Sequence, residues 1–539
     1  MSAGWTDHLI VAPIVLPLAA AALTLFLDER QRRLKASVAL LTVLALLFVS
    51  TLLLQGAASS GFAGEPATTA YHLGNWPAPF GIVLVIDWLS ALMLVLTSGL
   101  GLTTLVYSLA YWDRAGPRFH TLFLLQLMGL NGAFLTGDLF NLFVFFEVLL
   151  AASYGLLLHG SGVQRVQAGL HYVSINVATS LLFLIGVALI YGVTGTLNMA
   201  DLAIRIPAVA GSDLPLLQSG MAILGTAFLL KAGMWPLGLW LPRSYAAAAP
   251  PVAALFAILS KVGVYAVLRV YLLLGGEGGW AANFGDEWLL YGGMATIAFG
   301  TVGILASRTL MRVAGYSVII SSGTLLAAIG AGQGAVLGGV LFYLVSSTVG
   351  ICAFYLLIEL IERNEADAAL KVEPVFEDEY TGSLETGEED ETGVVIPATL
   401  AILGGGFVFC VLVISGLPPL SGFVAKFAII HGLLGLRSEI DWPVWALISL
   451  IILSGLATII ATTRAGIDLI WTPSEQPQPL HLAEAVPVGV LLAACLGLAI
   501  FAGPTMRYME RTGQSLGDRQ GYVQKVLIEG PADKHARSR

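Results

Sequence analysis

The chain has 539 residues and a formal net charge of −9, with 57% hydrophobic and 11% charged residues. Soluble globular proteins carry about 25% charged residues, so an ordinary cytosolic enzyme is excluded. The acidic balance offers no basic stripe for nucleic acid, and no nucleic-acid partner is expected.

Windows of about 20 apolar residues, the length that crosses a bilayer, fall at 9–27, 36–55, 82–107, 119–136, 139–158, 168–193, 219–242, 250–274, 288–307, 310–330, 334–361, 396–434, 442–463 and 484–503. About fourteen such windows predict an all-α polytopic protein embedded in lipid. Strand-like alternation is absent, which argues against a β-barrel. Asp7 and His8 precede the first window, and no basic region does, so it reads poorly as a signal peptide. The first connection holds Arg30, Arg32, Arg33 and Lys35 and is expected on the cytoplasmic side; the next, 56–81, has no Lys or Arg and is expected outside. Arg114, Arg118, Arg165, Arg243, Arg308 and Arg464 fall on later cytoplasmic turns. The tail 504–539, with seven Lys and Arg, fits badly, because an even helix count puts it outside. Its stretch 520–528 has the pattern of an amphipathic surface helix.

The fifth window carries Glu147 at its centre, with Asp138 near its outer end as a helix cap or a proton exit. The sixth is polar for a spanning segment: His171, Ser174, Asn176, Thr179 and Ser180 either bind water between relay groups or bond across helices. The seventh is interrupted at Lys231-Ala-Gly-Met-Trp-Pro236, and Gly233 and Pro236 break it in mid-membrane. The eighth carries Lys261 about eleven residues in, too deep for easy snorkelling. Glu359 ends the eleventh. The twelfth breaks at Gly416-Leu-Pro-Pro-Leu-Ser-Gly422 through Pro418 and Pro419, then carries Lys426 and, at its end, His431. Paired broken helices point to a transporter built from inverted repeats.

A charge at the bilayer centre costs at least ~2.5–3.5 kcal/mol, so Glu147, Lys231, Lys261 and Lys426 should face the bundle interior and pair. A buried lysine can lose its proton near neutral pH, whereas arginine effectively cannot. These four form the expected proton relay, with Glu147 beside Lys231 and with Asp138, His171, Glu359 and His431 as further relay, entry or exit candidates. Residues 362–393 hold twelve acids and two bases, a net −10, and read as a solvated loop. The remaining 507 residues therefore sum to about +1. The three cysteines, Cys352, Cys410 and Cys495, lie in apolar runs without a C-x-x-C, and the histidines are scattered. No disulfide, zinc, iron–sulfur or haem site is expected, and no cofactor.

The runs 137–147 (G-D-L-F-N-L-F-V-F-F-E), 231–242 (K-A-G-M-W-P-L-G-L-W-L-P), 249–265 and 416–427 (G-L-P-P-L-S-G-F-V-A-K-F) resemble antiporter-like subunits. That superfamily includes the proton-pumping membrane subunits of respiratory complex I. The resemblance covers roughly 5–505 and is greatest to the D subunits of Mrp-type multisubunit Na+/H+ antiporters. It implies fourteen helices with two inverted five-helix repeats. The implied divisions are helices 1–3 in 1–118, a first repeat in 119–274, a second in 288–463 interrupted by the insert, a last helix at 484–503 and the polar tail. It implies that Glu147 pairs with Lys231 on the broken seventh helix, that Lys261 is the central lysine, and that Lys426 is the terminal charge on the broken twelfth. The insert 362–393 departs from the family pattern. The implied partners are a large A-type subunit, a small C-type subunit and further small membrane subunits. H+ and Na+ would be the transported ions, and pH homeostasis across a bacterial inner membrane the role.

Three readings follow. The first is the proton-translocating subunit of a heteromeric cation/proton antiporter, a secondary transporter and not an enzyme. The alternative is a pumping subunit of a complex I-like NADH dehydrogenase or membrane-bound hydrogenase. The third is a scaffold with vestigial charges.

Overall fold

In a computed structural model of the chain, the described residues are 7–62, 68–274, 285–332, 334–371, 398–435, 441–470 and 480–528. The N-terminal helices are α1 (Ala12–Phe26) and α2 (Arg32–Phe62), followed by strands β1 (Thr69–His72) and β2 (Val83–Ile86), then α3 (Trp88–Ser108). Next come α4 (Phe119–Leu135), α5 (Leu139–Leu157), α6 (Val163–Thr194), the short α7 (Met199–Arg205), α8 (Leu214–Ala232), the short α9 (Leu241–Ala247) and α10 (Pro250–Leu274). The second half holds α11 (Asp286–Ala306), α12 (Leu310–Ala331), α13 (Ala335–Lys371), α14 (Ala398–Ser415), α15 (Ser421–Gly435), α16 (Trp442–Ile470) and α17 (Leu482–Ile500). The C-terminal segment forms α18 (Ala502–Gly517) and α19 (Arg519–Val523).

Every apolar window of the sequence holds one helix or two. Eleven helices among the described residues are long and apolar enough to cross a membrane, and the shorter apolar α1, α4, α14 and α15 fill the remaining windows. The twelfth window is two helices, α14 and α15, and the seventh is α8 continued after a gap by α9. A helix that is apolar all round can face either lipid or protein in a membrane. The membrane windows of α10 and α13 are buried throughout by other helices, whereas α2, α8 and α17 keep much of theirs exposed.

Three local features depart from the sequence expectation. The third window opens as strand: β2 pairs antiparallel with β1, Thr69 opposite Ile86 and His72 opposite Val83. Four residues per strand are too few to register as alternation against the apolar run that follows. The insert 362–393 is not wholly loop, since α13 runs on to Lys371; its remaining residues lie outside the described ones. The tail is helical over 520–528, as α19 and a π-helical turn to Ile528 that bury Tyr522 and Val526, and the sequence reading missed α18 before it, which buries Met509, Thr512 and Leu516.

The bundle has two distinct ends. At one, Arg32 pairs with Asp113, Arg363 with Glu484, and the Arg464 guanidinium donates to the Leu305 and Ser307 carbonyls at 3.0 and 2.9 Å. At the other, the hairpin meets the tail: His72 donates to the Val526 carbonyl at 3.2 Å, and Tyr508 to that of Trp88 at 2.9 Å. The tail therefore lies on the face of the 56–81 connection, as the even helix count requires, and this chain itself holds it there.

Candidate functional site

The two breaks share one construction. Gly233 ends α8 at φ +80° and Gly416 ends α14 at φ +81°, a left-handed conformation that glycine adopts without steric cost. In each, the N–H of the following residue reaches back five positions: Met234 to the Leu229 carbonyl at 3.0 Å and Leu417 to that of Leu412 at 3.0 Å. Three residues after each glycine stands a proline, Pro236 or Pro419, and both peptide bonds before them are cis. The freed Trp235 N–H donates to Thr296 Oγ1 at 2.9 Å, as unpaired backbone in a membrane core requires a protein partner.

A lysine stands at each broken end. Lys231 occupies the last turn of α8. Lys426, from α15, donates to the Ser415 carbonyl at the end of α14 at 2.8 Å. The C-terminus of a helix carries partial negative charge, which favours a cation at both places. Gly416 leaves room for the second lysine, whose Cδ would stand 2.6 Å from a Cβ there.

Lys231 is 7% exposed, and its ammonium donates to Asn176 Oδ1 on α6 at 3.2 Å and lies 5.8 Å from the centre of the Phe146 ring. Glu147, half-buried on α5, accepts from Ser180 Oγ on the same α6. Direct contact between Glu147 and Lys231 does not form: among the described residues no carboxylate lies within 4.0 Å of Lys231, Lys261 or Lys426. The reason is positional, since both partners are engaged by the polar face of α6. Of the five polar residues on that helix, Asn176 and Ser180 bond across to the charged pair, while His171 and Ser174 are exposed.

Beside Lys231 lies a small cavity, with space for about one water, lined by Phe146, Tyr172, Asn176, Trp240, Tyr245, Leu259 and Val262. The last two flank Lys261 on α10. Gly263 brings α10 against the end of α8, because a Cβ there would stand 2.8 Å from the Lys231 carbonyl carbon. Lys261 is fully buried and donates to Ser321 Oγ at 2.7 Å and to Ser322 Oγ at 3.5 Å. Ser321 Oγ in turn donates to Ser347 Oγ at 2.9 Å. Ser321 and Ser347 line a second cavity whose far wall includes Gly422, Thr458 and Lys426. Two hydroxyls thus lead from Lys261 to the cavity that Lys426 lines, and Lys231 lies beside a separate small cavity against α10.

The remaining candidates separate. Asp138 caps α5, accepting from the Phe140 and Asn141 N–H groups at 2.8 and 2.9 Å. Glu359 accepts from Tyr107 Oη and Trp112 Nε1, both at 2.7 Å, near the arginine-bearing end. His171 and His431 are exposed on the bundle's flank, the latter 6.2 Å from the Phe427 ring, and neither meets the lysines. Sequence reasoning passed over Arg269, hidden in the eighth apolar window. It forms a buried ion pair with Asp87, one contact being Nη2 to Oδ1 at 2.9 Å, and lies 5.8 Å from the centre of the Tyr522 ring. A lone arginine in the eighth window and Asp87 at the start of the third were the available signal.

Comparison with known proteins agrees with the fold. Residues 136–456 match the membrane-domain family described as NADH:quinone oxidoreductase/Mrp antiporter. The chain is 55% identical over 530 residues to the D subunit of a probable K(+)/H(+) antiporter of Rhizobium meliloti, covering 97% of this chain and 98% of that one. It is 31% identical over 532 residues to the D subunit of the Na(+)/H(+) antiporter of Alkalihalophilus pseudofirmus, covering 97% and 100%. Its backbone superposes on a chain of the Mrp complex of a Dietzia species with a TM-score of 0.78 at 25% identity, covering 97% and 100%. With its apolar helices and antiporter-like fold it is a multi-pass membrane protein, and the chain belongs to the NADH:quinone oxidoreductase/Mrp antiporter family.

Proposed function

We propose that this chain is the proton-carrying, D-type subunit of a multisubunit monovalent cation/proton antiporter in a bacterial inner membrane. The observation that carries this is the lysine series Lys231, Lys261 and Lys426, buried and without an ion-pair partner among the described residues, each held by a neutral oxygen: Asn176, Ser321 and the Ser415 carbonyl. A structural ion pair needs a counter-ion; a relay needs groups that can gain and release protons in turn. Glu147 and Lys231 form the first station, Lys261 the second and Lys426 the third. The segments 119–274 and 288–463 act as two related halves, a division favoured by the matching glycine and proline spacing at the two breaks.

The family description spans both redox pumps and antiporters, so the family alone does not choose between them. Full-length identity to named antiporter D subunits favours the antiporter, and a large A-type and a small C-type subunit are the expected partners. The relatives differ in the cation named, K+ for the 55% identical one and Na+ for the 31% identical one. Greater identity favours K+ over the Na+ expected from the sequence. The test is ΔpH-linked dye quenching in everted vesicles that carry the whole complex. Lys231→Ala and Glu147→Ala should each abolish antiport while the complex remains assembled. Wild-type signals from either variant overturn the relay.

A further inference from the structure

Glu359 and Tyr355 stand one turn apart on α13, which puts them on one face. Glu359 sits toward the arginine-bearing end, held by Tyr107 and Trp112. The charged groups facing it are Arg363 on its own helix, Glu484 from α17 and Arg165 from α6. Deeper in the bundle, Tyr355 is 0% exposed and its hydroxyl has no hydrogen-bond partner among the described residues. The same holds for Tyr245 on α9, which lines the cavity at Lys231. The two tyrosines are close enough to act on each other electrostatically. Trp240 Nε1, in the same cavity wall, is a third buried polar atom without a protein partner.

A buried hydroxyl left unpaired costs about 1–3 kcal/mol. Phenylalanine would pack in either place without that cost. Two such hydroxyls between an acidic group at one end and a lysine in mid-membrane are explained if they exchange protons with water.

Resting on the antiporter reading above, we propose that Glu359, Tyr355 and Tyr245 form the lane by which protons pass between the arginine-bearing end of the bundle and Lys231. The Glu359 carboxylate takes a proton from bulk water and becomes the carboxylic acid. It then releases that proton inward to a bridging water. Each phenol accepts a proton at Oη from one side and releases its own hydrogen on the other, so no phenolate forms. One proton reaches water in the Lys231 cavity and then the lysine amine, and the reverse sequence carries one out. Tyr107 and Trp112 are positioning residues that hold the carboxylate at the mouth.

The test uses the assembled complex in everted vesicles, with Tyr355→Phe, Tyr245→Phe, Glu359→Gln and Lys231→Ala compared side by side. Each Phe variant should lower turnover at least tenfold, with unchanged subunit content and unchanged apparent KM for the cation. The ratio of rates in H2O and D2O should rise, because proton transfer becomes limiting. Glu359→Asp should recover part of the turnover lost in Glu359→Gln. Wild-type turnover in both Phe variants overturns the lane, and so does lost turnover with an unchanged isotope ratio, which marks a packing role. An inactive Lys231→Ala beside active Phe variants removes the lane alone; an active Lys231→Ala removes the antiporter relay itself.

Discussion

Asn176 and Ser180 stand one turn apart on α6 and between them hold both members of the expected ion pair, Asn176 accepting from Lys231 at 3.2 Å and Ser180 donating to Glu147. The bridge is neutral. It separates the two charges while keeping them on one helix face, so the lysine is not locked to a carboxylate.

Asn176→Asp puts a carboxylate where the amide oxygen now is. The ammonium–amide bond is already one to a charged group, so the carboxylate adds ion pairing on top of it, and each ~1.4 kcal/mol of added pairing corresponds to a factor of ten. Antiport should fall roughly ten- to hundredfold with the complex intact, read by dye quenching in vesicles. Undiminished antiport in Asn176→Asp would show that release from Lys231 does not depend on a neutral partner.

Gly263→Ala tests the close approach of α10 to α8. A Cβ at this position meets backbone, the Lys231 carbonyl carbon at 2.8 Å, which cannot rotate away. Overpacking of this kind costs about 1–3 kcal/mol. The purified complex should melt at a lower temperature, and antiport should fall because the Lys231 station is displaced from Lys261. Thermal denaturation and vesicle antiport on one preparation check both.

Arg269→Met should destabilise strongly, because it leaves Asp87 charged and buried. Breaking a buried pair by removing one member costs about 3–5 kcal/mol. Asp87 also caps α3, accepting from the Ser90 N–H at 2.9 Å, and asparagine can do the same. The double variant Asp87→Asn/Arg269→Met should therefore accumulate better than Arg269→Met alone. Trypsin cleavage in 507–525 reports whether the tail stays docked.

The connection between α3 and α4 has an acid limit. Burial opposes ionisation of Asp113, but the His120 ring nitrogen at 3.5 Å and the Arg32 guanidinium hold its carboxyl below the usual carboxylate range. A lowered value in the folded state means the contribution is full above the ordinary carboxylate pKa of about 3.9 and fades as pH falls through the folded value. Amide protection at 112–114, corrected for intrinsic exchange, should hold from neutrality down to about pH 4 and drop below it. Arg32→Gln should show weaker protection at pH 7 and less further loss on acidification.

The spanning windows, both breaks and the buried lysines were legible because each leaves a local mark: a run of apolar residues, a glycine with prolines, a rare charge. What those charges touch left none. Glu147 and Lys231 look like a pair in sequence, and the polar sixth window offered five candidates for bonds across helices without marking Asn176 and Ser180 as the two that take the contacts. Tyr245 and Tyr355 read as ordinary aromatic core, since only the fold shows that their hydroxyls lack partners. Arg269 was lost among apolar neighbours because its counter-ion lies five windows earlier. The tail read as a misplaced basic segment for the same reason: its anchors, Trp88 and His72, are remote in the chain.

Tyr522 lies over Arg269, and Arg269 is paired with Asp87. Asp87 emerges during translation after only two spanning segments, Arg269 after seven, and Tyr522 after all of them. Asp87 must therefore wait for Arg269, and the pair stays uncovered by Tyr522 until the last helices have been threaded. Completion of this end of the bundle is a late step of folding, and a chain stopped before its tail would leave the Asp87–Arg269 pair without its aromatic cover.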